Sequence, residues 1–187
     1  MKNALINKSL LALLVAAPLF SACKKDNDEP TPDDDNEQIT TVRYELTPVG
    51  GGTPVTVQYR DPDGDGGAAA VVGTLTLAVG TTYTGKLVLL DETKNPVVNT
   101  SDEIKEEADE HIFFFESSNT NVTVTPTDKD SKGLAVGLET RVEAGAANTA
   151  SSTGNLKITL RHQPGAKNGT FAPGDTDVEV NFPTAVR

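Results

Sequence analysis

The 187-residue sequence has one cysteine, two histidines and no tryptophan, and aromatic residues make up 5% of it. A single thiol cannot form a disulfide within the chain, so a folded domain must be held together by its hydrophobic core. The shortage of aromatic side chains argues against a groove that stacks on sugars, and two histidines leave few nucleophile–base pairs. The sequence also lacks a G-x-S-x-G elbow, an H-E-x-x-H helix, a P-loop and a glycine-rich dinucleotide turn. We therefore expect a protein that is not an enzyme.

Positive charge is scarce as well, because 16 lysines and arginines face 27 aspartates and glutamates, and the formal net charge is −11. A strongly acidic chain is repelled by nucleic acids and by anionic lipid head groups, so neither is an expected partner. The balance suits a solvated surface protein or one that handles cations.

No apolar run is long enough to span a bilayer, and the longest, residues 10–20, lies near the N-terminus. Lys2 and Lys8 precede this run, and two small residues follow it immediately before Cys23. These are the parts of a secretory signal peptide, which we predict over residues 1–22. A lone cysteine directly after the cleavage site resembles a bacterial lipobox, so Cys23 is predicted to be lipidated and to anchor the protein in the outer membrane.

The residues after Cys23 predict an exposed tether that leads to one folded domain. Residues 24–29 (KKDNDE) resemble the lysine-plus-acidic export tag of surface lipoproteins, which favours the cell surface; a periplasm-facing lipoprotein is the alternative. Residues 30–37 (PTPDDDNE) contain no apolar side chain and cannot bury enough surface to fold. We therefore predict a disordered acidic tether over residues 23–38 and a single domain over residues 39–187.

From residue 39 onward, apolar and polar residues alternate with the period of two that is typical of β-strands. Clusters of Gly, Pro, Asn and Asp separate the alternating runs. The apolar positions of the clearest runs are Val42, Tyr44 and Leu46; Val55, Val57 and Tyr59; Leu156, Ile158 and Leu160; and Val178, Val180 and Phe182. This pattern predicts an all-β protein, an antiparallel β-sandwich of about eight strands that is Ig-like in general form, with a small closed barrel as the alternative.

One segment, residues 100–111 (TSDEIKEEADEH), has the pattern of a short acidic helix. Thr100 followed by Glu103 matches a capping box, and acidic residues crowd the first turn while His111 closes the last. We predict a helix over this segment, followed by a core strand at residues 112–115 (IFFF) that is buried on both sides.

A candidate calcium loop lies at Asp61, Asp63 and Asp65, which have the D-x-D-x-D-G spacing of oxygen ligands around a hard cation. The bidentate glutamate that an EF-hand places at loop position twelve is absent, since that residue is Val72. A polar hairpin turn explains the same composition. Residues 128–133 repeat the spacing more weakly and are predicted to form a turn.

The two histidines form a second candidate site, for zinc or copper. On a helix, Glu107 and His111 are four residues apart and share a face, while His162 continues the inward parity of Leu160. If the fold brings these three side chains together, they can bind a transition metal, with an affinity that falls as the pH drops through about 6.5. The alternative assigns His111 to a helix-end charge and His162 to a hydrogen-bonded position at the edge of the core.

Several segments are similar to small surface lipoproteins of Bacteroidota, some of which carry the label "type 1 periplasmic binding". The segments are residues 41–48, 60–67, 109–111 with the aromatic run that follows, 137–141 and 160–164. Members of this family are often encoded beside TonB-dependent outer-membrane receptors, so the resemblance implies an accessory role in capturing a nutrient or metal. It supplies no catalytic residue, and the strand pattern argues against the two α/β lobes of the labelled fold. A calcium-stabilised adhesion or envelope module is the alternative.

Overall fold

The structure is a computed structural model that describes residues 37–64, 67–148 and 154–187. These residues form eleven β-strands and one short helix, and eight of the strands have five or more residues. The elements are β1 (Thr41–Pro48), β2 (Val55–Arg60), β3 (Val71–Val72), β4 (Leu75–Leu77), β5 (Thr82–Asp91), β6 (Val98–Asn99), α1 (Thr100–Glu106), β7 (His111–Ser118), β8 (Val122–Pro126), β9 (Glu139–Ala144), β10 (Gly154–His162) and β11 (Asp175–Val186).

The strands make two sheets that pack as a sandwich, as the period-two pattern predicts. The larger sheet has seven strands in the order β3-β2-β1-β5-β9-β8, with β6 paired to β5. The smaller sheet has four strands in the order β4-β11-β10-β7. Every pair is antiparallel except β4 with β11. The predicted all-β sandwich is therefore confirmed, since the described strands form two sheets rather than the alternative closed barrel.

The core lies between the two sheets and consists of the apolar positions that alternate along their strands. In β10, for example, Leu156, Ile158 and Leu160 are each at most 1% exposed. Tyr44 enters the core from β1, and its hydroxyl forms a 2.6 Å hydrogen bond with the Thr140 hydroxyl. Burying a large apolar side chain contributes about 1.5–3 kcal/mol, so the core stabilises the domain without a disulfide.

The predicted helix is shorter than expected, and its predicted cap is wrong. Helix α1 ends at Glu106, its N-cap is Asn99, and the Thr100 hydroxyl is buried without a hydrogen-bond partner. The amide side chain of Asn99 instead donates to Asp102 at 2.9 Å. His111 lies outside the helix as the first residue of β7, because strand pairing begins there after a turn over residues 107–110.

The aromatic run that follows His111 is only partly buried. Ile112 and Phe113 are 3% and 2% exposed, whereas Phe114 and Phe115 are half-buried. Phe114 contacts Phe171 edge-on, with 5.2 Å between the ring centroids. Burial on both faces is thus restricted to the start of β7, the end that carries His111.

Several sequence predictions lie outside the described residues: the signal peptide, Cys23, the tether up to residue 36, and Asp65. Among the residues that are described, no helix has the length and apolar character needed to cross a bilayer.

Candidate metal centre

The two histidines lie directly opposite each other on neighbouring strands. His111 begins β7, His162 ends β10, and the antiparallel register pairs these two residues. Their imidazole rings are stacked, with 4.6 Å between centroids and 6° between planes. His111 is 0% exposed and His162 is 6% exposed, so both rings are buried. The inward direction that strand parity predicts for His162 agrees with this placement.

The hydrogen bond at one nitrogen of His111 determines what the other nitrogen can bind. Nδ1 lies 3.1 Å from the backbone carbonyl oxygen of Glu107, which can only accept, so Nδ1 carries a proton and donates it. In the neutral ring, Nε2 is then left with a lone pair. This Nε2 lies 2.7 Å from Oε1 of Glu37, which is the distance of an ion pair when the imidazole is protonated. Two acceptors this close need a cation between them, either a proton or a metal ion.

Glu37 reaches the histidines from the segment that precedes β1. Its carboxylate is 5% exposed, and Oε2 has no hydrogen-bond partner. The donor atoms of Glu37, His111 and His162 all lie within 4.8 Å of one another. The sequence prediction placed residue 37 in a disordered tether, and the buried carboxylate corrects that boundary.

Asp177 completes the cluster through an irregularity in strand β11. Leu160 pairs with Val178, but the next residue, Arg161, pairs with Thr176, so Asp177 is the extra residue of a β-bulge. A bulge changes the direction of a side chain relative to strict alternation. The Asp177 carboxylate is 0% exposed, lies 3.9 Å from Nε2 of His111 and interacts with the carboxyl group of Glu37.

The charges in the cluster perturb three pKa values. Burial raises the pKa of the Asp177 carboxyl to about 7, and the charge of Glu37 acts in the same direction. Burial also acts to raise the pKa of Glu37, but its contact with His111 outweighs burial, so this pKa lies below its usual value. For His111, burial acts to lower the pKa, but the Glu37 carboxylate outweighs burial and raises it. The cluster thus favours positive charge between Glu37 and His111.

The surrounding loop holds this bulge in position. Arg161 donates from Nη1 to the Thr176 hydroxyl at 2.6 Å and from Nη2 to the carbonyl oxygens of Pro173, at 3.0 Å, and Gly174. Gly174 has φ +73°, and a Cβ atom there would lie 1.8 Å from the carbonyl oxygen of His162. Only glycine permits this close approach, which brings the start of β11 against the end of β10.

Glu107, the predicted carboxylate ligand, does not enter the cluster. Its side chain is exposed, and it contributes its backbone carbonyl to His111. The prediction failed because it required a helix that continues to His111. Glu110 is closer, with Oε2 3.6 Å from Nε2 of His162, but its side chain is 42% exposed.

The distances in the cluster are of the size that a small divalent transition ion needs, but the stacked imidazole planes are nearly parallel, so one ring must rotate for both lone pairs to point at one ion. Zinc binds histidine nitrogen and carboxylate oxygen at about 2.0–2.2 Å, so two ligands of one zinc ion are separated by no more than about 4.4 Å. Tetrahedral geometry places two such ligands about 3.3–3.6 Å apart. The separations of 2.7 and 3.9 Å lie on either side of this value, and the donor atoms of Glu37, His111 and His162 all lie within 4.8 Å of one another. Two imidazoles with carboxylates suit zinc or copper(II) better than magnesium or calcium, which prefer oxygen ligands.

The two described residues of the candidate calcium loop take part in local hydrogen bonds. Oδ2 of Asp63 accepts from the backbone N–H of Ala68 at 2.8 Å, and Oδ2 of Asp61 accepts from the hydroxyl of Tyr59 at 3.3 Å. Oδ1 of Asp61 is buried without a partner. The loop therefore has the hydrogen bonds of a turn, with one oxygen of Asp61 left over.

The weaker repeat at residues 128–133 is a turn, as predicted. Asp128 accepts from the backbone N–H groups of Gly137 and Leu138 at 2.7 and 2.9 Å. Oδ2 of Asp130 lies 2.9 Å from Nζ of Lys167, and both side chains are 0% exposed. This buried ion pair joins the turn to the loop after β10.

Comparisons of the chain with protein-family models, with curated proteins and with solved structures found no match. The case for a metal site therefore rests on the geometry of these residues alone. Sequence reasoning found His111 and His162 but missed Glu37 and Asp177, since the first lies in an acidic run and the second breaks strand parity.

Proposed function

We propose that the protein is a non-enzymatic, lipid-anchored outer-membrane lipoprotein that captures a divalent transition metal ion, zinc or copper(II), at Glu37, His111 and His162. The supporting observation is that donor atoms of these three residues are buried together within 4.8 Å. A structural role for the histidines would instead predict a satisfied hydrogen bond at each ring nitrogen that faces the core. Nε2 of His162 is buried without one, and Nε2 of His111 has the Glu37 carboxylate, 2.7 Å away, as its partner.

Asp177 is proposed as the fourth ligand. Its carboxyl group is fully buried, 3.9 Å from Nε2 of His111, and burial beside Glu37 raises its pKa to about 7, so it ionises at a cost that a cation would offset. An ionised carboxylate in such surroundings costs several kcal/mol unless a cation neutralises it. A bound metal ion would satisfy Asp177, Glu37 and both imidazoles at once.

The test is a calorimetric titration of the protein with Zn²⁺ and with Cu²⁺ at pH 7.5. We expect one ion per chain, and we expect His111→Ala and His162→Ala to weaken binding at least about 100-fold, since each removes a ligand. Glu107→Gln is the matched control, because it keeps the backbone carbonyl that contacts His111 and should bind like wild type. Absence of saturable binding, or equal binding by His111→Ala, would overturn the proposal.

The same proposal makes the protein an accessory component of a TonB-dependent uptake system. Its support is the predicted lipid anchor at Cys23, the surface-export tag at residues 24–29 and the resemblance to Bacteroidota surface lipoproteins. Cross-linking in intact cells followed by purification through the lipoprotein should recover an outer-membrane receptor. Recovery of the lipoprotein alone would remove the uptake role and leave metal binding to be judged separately.

A second candidate function is a calcium-stabilised adhesion or envelope module. The observation in its favour is the unpartnered, buried Oδ1 of Asp61 in a loop of closely spaced acidic residues. Thermal unfolding with and without millimolar Ca²⁺ tests this role. A rise in Tm that is lost in Asp61→Asn would support it, and an unchanged Tm would exclude it.

A further inference from the structure

The proposed metal site is closed, and one of its ligands lies on the segment that enters the domain. His111 is 0% exposed and His162 is 6% exposed. An ion from solvent cannot reach their Nε2 atoms unless part of the structure moves. Entry of an ion therefore requires a ligand-bearing segment that can be displaced at a low free-energy cost.

The two histidines are held firmly by strand pairing. His111 and His162 are paired with each other across β7 and β10, and β10 is also paired along its length with β11. Displacing either histidine would break sheet hydrogen bonds together with the contacts of the core. Such openings have free energies that approach that of global unfolding.

Glu37 is held much more weakly. Within the described residues, the first backbone hydrogen bond of the N-terminal segment joins Thr40 N–H to the carbonyl oxygen of Leu90. Ile39 packs partly against the core, so the chain is anchored from that residue onward. Gln38 is exposed, and residue 37 is retained through its carboxylate beside His111.

We propose that Glu37 is a latch: it swings out to admit the ion and then binds it, so that metal loading fastens the start of the folded domain. This inference rests on the proposed function, since it concerns the same site. The latch joins the ligand site to the segment that leads back to the predicted anchor, Cys23. Metal occupancy would then fix residues 37–39 against the domain.

Hydrogen exchange of the full mature chain, measured by mass spectrometry with and without saturating Zn²⁺, tests the latch. We expect Zn²⁺ to slow exchange of the backbone amides of residues 37–39 about tenfold or more in wild type. In Glu37→Gln at a Zn²⁺ concentration that saturates the variant, this protection should disappear while the strands keep theirs. Glu107→Gln should behave like wild type.

Stopped-flow mixing with Zn²⁺ provides a second, kinetic measurement. Removing the latch in Glu37→Ala should speed association about tenfold while weakening the equilibrium affinity, because the entry route is open and a ligand is lost. If Zn²⁺ binds but residues 37–39 gain no protection and association is not faster, the latch is wrong and the proposed function stands. If wild type binds no Zn²⁺, the proposed function fails and the latch fails with it.

Discussion

The imidazole ring of His111 lies flat against that of His162, with 4.6 Å between their centroids and 6° between their planes. Nε2 is buried in both rings, and the nearest carboxylate oxygen is 2.7 Å away in Glu37 for His111 and 3.6 Å away in Glu110 for His162. Two aromatic rings can stack whether or not they contain nitrogen. Variants can therefore test the stacking contact and the nitrogen donor atoms separately.

Replacing His162 with phenylalanine should keep the stack and remove a proposed metal ligand. We expect His162→Phe to lose Zn²⁺ binding while its free energy of unfolding without metal stays within about 1 kcal/mol of wild type, since ring packing is retained. The measurements are a Zn²⁺ titration and urea unfolding in chelator. His111→Phe is the informative comparison, because it also removes the hydrogen bond to the Glu107 carbonyl and should cost about 1–3 kcal/mol.

The free energy of unfolding should depend on pH through Asp177. Its pKa is about 7 in the folded protein against an ordinary value of 3.8, so between these values the folded state holds the proton more tightly. The contribution of this group is therefore favourable at low pH and is lost as pH rises towards 7. After allowance for solvent screening, the free energy of unfolding of Asp177→Asn should exceed that of wild type by about 1–3 kcal/mol at pH 8, by roughly a third of that at pH 5 and by little below pH 3.8, in chelator.

The Asp177→Asn comparison should change sign when the metal is present. At saturating Zn²⁺ and pH 8, wild type should become the more stable protein, because it has the additional ligand. Urea unfolding at the two pH values, each with chelator and with Zn²⁺, measures both effects. An equal difference at pH 5 and pH 8 would show that Asp177 does not titrate between them.

Breaking the buried ion pair of Asp130 and Lys167 should destabilise the domain. Lys167→Met removes the cation 2.9 Å from the Asp130 carboxylate, which keeps its hydrogen bonds from the backbone N–H groups of Lys132 and Leu134, and should cost about 1–3 kcal/mol. Lys132→Met is the matched control, since its 3.8 Å pair with Asp109 is exposed and should contribute about 0–1 kcal/mol. Chemical denaturation of the two variants makes the comparison, and similar costs would contradict the assigned burial.

Membrane attachment should depend on Cys23. Cys23→Ala removes the thiol that we predict to be lipidated, so the protein should leave the membrane fraction or stay unprocessed with its leader. Fractionation and electrophoretic mobility measure this. For the unchanged chain, cleavage by protease added to intact cells shows whether the protein faces the cell surface or the periplasm. Replacing residues 24–29 with neutral residues should move it to the periplasmic face.

The fold was predictable because its determinant is local. Alternation such as Leu156, Ile158 and Leu160 places one face of a strand in the core, and a chain of many such strands can bury those faces only by packing sheets together. The helix was predicted less well. Thr100 and Glu103 match a local capping pattern, but in the fold the N-cap of the helix is Asn99, and His111 is the first residue of strand β7.

The sequence by itself determined the all-β class and the inward direction of His162, since both follow from a period of two, while the division into two sheets rather than a closed barrel is seen only in the fold. Tertiary structure alone decided the partners of the histidines. His111 meets His162 through strand register across 51 residues of sequence, and Asp177 points inward because a bulge interrupts the alternation of β11. Glu37 reaches His111 from an acidic segment 74 residues away in sequence, where nothing distinguishes it locally from its neighbours. Long-range contacts of this kind depend on how complete sheets pack, and no short window of residues encodes them.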